Sequence, residues 1–293
     1  MNRMGLEETN PATPDALIPV SAIDRRKRVY RIVFIGDTKG ARMRQTVAGV
    51  AALMCTAAHA ATEPPVFEKP AKISSVALPP DSYNPTFKHT RICYYYRGTM
   101  VKEVNYEDEK GAHRLSLVPI SLNEKPPACN ADNAREIVIS KWSGYYLGKR
   151  GAAFFFDADD GINGGMPFVA YTAFGNQILE DSSELTARKT IRSVRMDATA
   201  LVVRYRRAWL APCSLYADPA ACWTTIMAQT GIVERARPNC RALYEAEMKR
   251  TSKYAADIAK SQTMIGYEVE ARTSQGKTSF TALPGRVTCW LED

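Results

Sequence analysis

Residues 92–106 read ICYYYRGTMVKEVNY, and this stretch decides the fold class. It is dense in aromatic and β-branched residues, which fit a pleated, half-buried surface better than a helix. The same character recurs downstream. Leu115 to Ile120 is a second candidate strand, and Glu136 to Leu147 a third. Ala152 to Phe156 (AAFFF) is apolar at every position, the mark of a strand buried on both faces. Pro167 to Ala173 is followed by Gly175-Asn176, a hairpin signal, and then by Gln177 to Leu179. Ile191 to Met196 and Leu201 to Leu210 flank a short turn at Asp197-Ala198-Thr199. Strands at this spacing, joined by short turns, predict antiparallel meanders, arranged as a sandwich or in a propeller-like way.

Past residue 217 the pattern changes. Asp218-Pro219 is a helix start, an N-cap followed by proline at the first helical position, and Gly231 is its stop. A second helix is expected from about Asn239 to Lys260. Its stripe is Tyr244, Met248, Thr251, Ala255 and Ile258. Strand character returns at Met264 to Ala271, at Thr278 to Thr281 beyond the Gln275-Gly276 turn, and at Arg286 to Trp290. The class is therefore α+β: mostly antiparallel β with a C-terminal helical hairpin at about 218–260, stapled by disulfides.

The amino-terminal region reads differently. Arg42 and Arg44 precede an uncharged apolar run from Thr46 to Ala58, and Ala58-His59-Ala60 places small residues where a signal peptidase reads them. A bilayer span needs about 20 apolar residues, so the run is too short to cross a membrane. Residues 1–60 are expected to be leader and signal peptide, removed near Ala60. Met43 opens a compact signal of its own and is the expected start of translation. Residues 61–90, with Pro64, Pro65, Pro70, Pro79, Pro80 and Pro85, form an extended lead-in, packed along the domain edge or mobile. Residues 91–293 form a single disulfide-bonded domain.

After that cleavage the chain holds 30 basic and 26 acidic residues, a balance of +4, which does not mark a nucleic-acid protein. Six cysteines remain: Cys93, Cys129, Cys213, Cys222, Cys240 and Cys289. An even set in an exported chain reads as three disulfides. Cys93 is expected to pair with Cys129. Two of Cys213, Cys222 and Cys240 pair, and the third ties back to Cys289.

No nucleophile elbow, zinc-protease, Ser-x-x-Lys or phosphate-loop motif is present. His89 and His113 lie in polar segments and read as exposed loop histidines. Three constellations stand as candidates. The segment Asp157 to Gly165 (DADDGINGG) offers Asp157, Asp159, Asp160 and Asn163 as oxygen ligands for Ca²⁺, or as acid–base carboxylates, or reads as a plain turn. Arg204, Arg206 and Arg207, with Tyr205 and Trp209 and the upstream Arg188, Lys189, Arg192 and Arg195, form a basic stripe. That stripe either holds an anionic partner or is a solvated strand paired with Glu180, Asp181 and Glu184. Tyr94, Tyr95, Tyr96, Trp142, Tyr145 and Tyr146 are dense enough for a carbohydrate-stacking face, or serve packing.

The expected function is a periplasmic or secreted, non-enzymatic binding protein. Its partner is a protein or an anionic envelope component, with an inhibitory role among the options. The alternative is an envelope hydrolase using carboxylates of the Asp157–Gly165 loop.

Overall fold

The structure, a computed structural model, describes residues 65–80, 82, 85–162, 164–185, 191–234 and 236–291. The expected signal segment, Asn163, Arg188 and Lys189 lie outside the described residues.

The 92–106 stretch is a hairpin, not one strand. β2 (His89–Tyr96) and β3 (Thr99–Tyr106) turn back on one another at Arg97-Gly98, with Gly98 at φ 82°. Only glycine enters that region at no steric cost, so the turn is written in one residue. β1 (Lys72–Leu78), β4 (Ala112–Pro119) and β5 (Ile137–Val138) complete a five-stranded antiparallel sheet in the order β1-β2-β3-β4-β5. β1 lies inside the proline-rich lead-in, between Pro70 and Pro79. The expected strand at 136–147 is divided. Ile137 and Val138 pair with β4, and the chain then leaves this sheet.

It enters a second, nine-stranded sheet through β6 (Gly144–Arg150), β7 (Ala153–Ala158), β8 (Gly165–Thr172) and β9 (Gln177–Glu184). β10 (Ile191–Asp197), β11 (Ala200–Leu210), β12 (Thr263–Ser274), β13 (Lys277–Ala282) and β14 (Thr288–Leu291) follow. The order is β13-β12-β11-β9-β8-β7-β6. β10 lies along the first half of β11, and β14 along the first half of β12.

Between β11 and β12 run α1 (Pro219–Thr230), α2 (Arg241–Arg250), a 3₁₀ turn (Ser252–Tyr254) and α3 (Ala255–Lys260). Asp218 accepts the Ala221 N–H at 3.1 Å, Pro219 opens α1, and Gly231 closes it at φ 72°. The expected second helix is broken at Thr251, where φ −124° and ψ 56° leave the helical region. No helix of the described residues is long and apolar enough to cross a membrane.

β7 explains why both faces of the second sheet are dry. Phe154 and Phe156 point into a cluster with Val101, Leu115 and Leu117 of the first sheet. Phe155 points the other way, into a cluster with Phe168, Tyr205 and Tyr267 that Trp223 and Ile226 of α1 and Tyr244 of α2 cover. Burying each phenylalanine contributes about 1.5–3 kcal/mol. The outer face of the first sheet holds a third, smaller cluster around Cys93, Met100 and Val118. The lead-in is anchored. Phe67 packs on Phe155 with ring centres 5.4 Å apart, and the Glu68 carboxylate accepts from Lys149 at 2.7 Å and from the Gly151 N–H at 2.6 Å.

Three cysteine pairs stand at disulfide distance: Cys93–Cys129, Cys213–Cys222 and Cys240–Cys289, with Cα–Cα separations of 5.7, 5.6 and 6.0 Å. They are of the kind that persists in an oxidising, extracellular-type environment.

Candidate functional site

The basic stripe on β11 is neutralised where it stands. β12 runs beside β11 in a register that places Glu270 opposite Arg204 and Glu268 opposite Arg206. Arg204 reaches Glu270 at 2.7 Å. Arg206 is bound by Glu184 and by Glu268, the latter at 3.3 Å, and donates to the Gly266 and Arg286 carbonyls. Arg207 reaches Asp181 at 2.8 Å and lies 3.9 Å over the Phe280 ring. Tyr205 is fully buried and donates to Asp181, and Trp209 packs against the same core. Arg192 takes Glu268 at 2.6 Å. These arginines knit four strands together; they do not present an open cationic face to an anionic partner. The acidic partners on β12 are what the sequence reading lacked, because they lie some 60 residues downstream.

The acidic loop acts as a turn. Ile162 and Gly165 exchange two backbone hydrogen bonds of 2.8 Å. Asp160 accepts from the Gly161 N–H at 2.9 Å and from Lys110 at 2.6 Å. Asp159 lies against Gly111 of the β3–β4 turn, where an added Cβ would come within 2.6 Å of the Asp159 Cβ. Among the described residues no group of three or more His, Cys, Asp or Glu side chains is gathered to hold a metal, and Asn163 of the candidate set lies outside them. Asp157 behaves differently from its neighbours. Its Oδ1 is buried without a hydrogen-bond partner. Burial pushes its carboxyl up to about 6, with a smaller contribution from the Glu103 charge, against backbone N–H groups that pull it down. Glu103 is itself buried, accepting from the Tyr146 N–H at 2.9 Å and from Asn105 at 2.8 Å.

The aromatics divide between two cores. Tyr94, Tyr96 and Tyr146 nest with Phe156, Tyr146 lying 4.8 Å from Tyr94 and 5.5 Å from Phe156. Tyr146 donates to the Tyr96 hydroxyl at 3.0 Å, and burial pushes the Tyr94 phenol up to about 12. Tyr95 points to the opposite face and donates to the Pro127 carbonyl. Trp142 donates to the Asp157 carbonyl at 2.9 Å. Tyr145 is the exposed member, and its hydroxyl accepts the Gly111 N–H. They form packing surfaces and not one stacking platform. His113 is exposed as expected, although it lies on β4, but His89 differs from expectation. His89 is buried because it opens β2 opposite Tyr106, and His89 and His113 stack on the two sides of that ring, at 3.8 and 4.0 Å.

A cleft of about 580 Å³ lies where the α1–α2 connection meets the segment before β14. Glu234, Ala236, Arg237, Pro238, Asn239 and Leu243 line one side, and Gly285 to Cys289 line the other. The Cys240–Cys289 pair ties the two sides together. A second cleft of about 410 Å³ shares the wall formed by Arg237, Pro238 and Asn239. The charge arrangement here is unlike that on β11. Among the described residues ten arginines have a carboxylate within 4.0 Å: Arg114, Arg135, Arg192, Arg195, Arg204, Arg206, Arg207, Arg241, Arg250 and Arg272. Arg237 and Arg286 are exposed on this cleft, and no ion pair with a described carboxylate neutralises either. The cleft's own carboxylate, Glu234, is engaged by the Gly285 N–H at 2.7 Å. The run from Glu234 to Arg241 (ERARPNCR) carried this signal in the sequence, as three arginines in eight residues beside a cysteine.

Comparison with family models, with curated proteins and with solved structures found no match.

Proposed function

We propose that the chain is an exported, sandwich-like binding protein, cleaved near Ala60, and that it takes an anionic partner, a protein or another envelope component, in the Arg237–Arg286 cleft. The observation that carries this reading is the contrast in charge pairing. Two guanidinium groups line a concave surface with no ion pair to a described carboxylate, whereas the arginines of β11 are matched residue by residue. Guanidinium groups suit carboxylate and phosphate geometry, and a cleft limits the solvent that screens them. The three cysteine pairs support the exported location.

Calorimetric titration of the purified exported chain with a hexaglutamate peptide and with inorganic phosphate tests the reading. Binding is expected to weaken with salt. It is expected to fall by about tenfold or more when Arg237→Gln is combined with Arg286→Gln. Absence of anion binding, or equal binding by the double variant, refutes it.

A second reading, an envelope hydrolase, rests on Asp157. A carboxyl held at about 6 beside a buried Glu103 is the kind of group that general acid catalysis uses. Turnover of peptidoglycan, chromogenic glycosides or esters that is lost in Asp157→Asn would establish it. Asp157→Asn also has a stability signature. A carboxyl whose folded value lies above its unfolded value destabilises the fold as pH rises between the two. The variant is therefore expected to raise the melting temperature at pH 7.5 more than at pH 4.

A further inference from the structure

β1 is an edge strand of the first sheet. Its inner side pairs with β2 through seven consecutive positions with no bulge, from Lys72 opposite Tyr95 to Leu78 opposite His89. Among the described residues no backbone group pairs with its outer side. The other edge of the first sheet, β5, is two residues long, with the β8–β9 turn against it through Gly175 and Ile137. Exposed edges are normally blunted by proline, a bulge, an inward charge or shortness. β1 has seven residues, KISSVAL, with no proline, and its single charge, Lys72, stands at one end. Ile73 is 59% exposed on it.

We infer that β1 is the interface of a two-fold symmetric dimer, in which β1 of one copy pairs antiparallel with β1 of another and the two five-stranded sheets become one of ten strands. The sequence of the strand is self-complementary about Ser75. A two-fold axis there sets Ser75 against its own copy, Ser74 against Val76, Ile73 against Ala77 and Lys72 against Leu78. No like charges face each other, and the exposed Ile73 gains an apolar neighbour. The two Lys72 side chains end six positions apart, about 20 Å, beyond a Debye length at physiological salt. A closed two-fold pairing uses up both edges and stops there, which an open edge otherwise cannot do. The area is modest, below the roughly 1,200 Å² at the low end of stable interfaces, so association belongs at micromolar concentrations.

Sedimentation of the purified exported chain across protein concentration tests this, independently of what the cleft binds. The native chain is expected to pass from monomer to dimer. Ser75 is exposed, so Ser75→Glu and Ser75→Lys leave the fold intact, which melting curves check. Each variant alone places like charges opposite each other on the axis and is expected to dimerise about fivefold or more weakly. An equimolar mixture of the two is expected to recover the dimer as a heterodimer. The inference is overturned if the native chain stays monomeric to on the order of 100 µM, a range that covers weak interfaces. It is also overturned if both variants dimerise as well as the native chain, or if the mixture gains nothing over either variant. Slow deuterium exchange of β1 amides in a monomer would show the edge covered by the chain itself, and would overturn it as well.

Discussion

The β11–β12 ladder and the Arg237–Arg286 cleft contain the same cation in opposite circumstances. On the ladder the guanidinium of Arg206 is nearly buried, enclosed by Glu184, Glu268, two carbonyls and the Thr288 hydroxyl. In the cleft, Arg237 and Arg286 face solvent without an ionic partner among the described residues. A buried charge is tolerable only when every donor is met, so ladder arginines are committed to structure. An exposed, unpaired arginine contributes little to stability and keeps its donors available. The same residue type is therefore read as scaffold in one place and as a binding group in the other, and the carboxylates around it decide which.

The strongest way to break this contrast is Arg206→Ala. Removing one partner of a buried pair takes the guanidinium away from Glu184, leaves Glu268 with Arg192 alone, and is expected to destabilise the fold by about 3–5 kcal/mol, read from urea unfolding midpoints. If the pair is structural, replacing both members by apolar residues, Arg206→Met with Glu184→Leu, recovers much of that loss. A loss under about 1 kcal/mol in Arg206→Ala would place the ladder with ordinary surface ion pairs.

Lys102 sharpens the comparison through pH. Its ammonium is buried and reaches Glu136 at 2.7 Å and the Ala131 carbonyl at 2.8 Å, while Ser116 donates to the same carboxylate. Burial alone would raise the Glu136 carboxyl, but hydrogen bonds from Lys102 and Ser116 and the charges of Lys102 and Arg114 outweigh it and hold it below the usual range. A lowered folded value stabilises above the unfolded value of about 4.3 and is lost as pH falls through the folded one. Urea midpoints measured from pH 6 down to pH 3 should therefore fall, and Glu136→Gln should flatten that part of the curve. An unchanged slope in the variant would remove Glu136 from the account.

The extent to which sequence revealed these features follows from how local each one is. Asp218-Pro219 and Gly231 delimited α1 because capping is decided within four residues. AAFFF announced a strand buried on both faces, since its apolar run is visible without knowing its neighbours. Cys93 with Cys129 was anticipated, and so was a pair within Cys213, Cys222 and Cys240 with the third reaching Cys289, but which two pair was left open because all three are close in sequence; the fold pairs Cys213 with Cys222. β1 was missed because prolines dominate the lead-in and the strand needs β2 to exist. The continuous helix at 239–260 was wrong because its apolar spacing survives the break at Thr251. The basic stripe read either as a binding face or as a strand paired with Glu180, Asp181 and Glu184; Asp181 and Glu184 are partners, but Glu268 and Glu270 on β12 were not foreseen, because register is a property of the fold. The cleft needs two segments 50 residues apart, joined by the Cys240–Cys289 pair.

The smallest expected effect on stability is the most informative about the cleft. Arg237→Gln and Arg286→Gln remove exposed charges with no ion pair to break, so each should change unfolding free energy by less than about 0.5 kcal/mol. The same substitutions should abolish the stabilisation that an anion gives the native state. A ligand that binds the folded chain at 100 times its dissociation constant adds about 2.7 kcal/mol. The difference between variants with and without hexaglutamate therefore exceeds their difference without it. Salt provides the control, because screening acts on exposed charges in the cleft far more than on the enclosed ladder. In 0.5 M sodium chloride the anion-dependent shift should shrink while the penalty for Arg206→Ala persists. If either cleft variant alone costs more than about 1 kcal/mol without any anion, Arg237 or Arg286 has a structural partner, and the two regions differ in exposure and not in purpose.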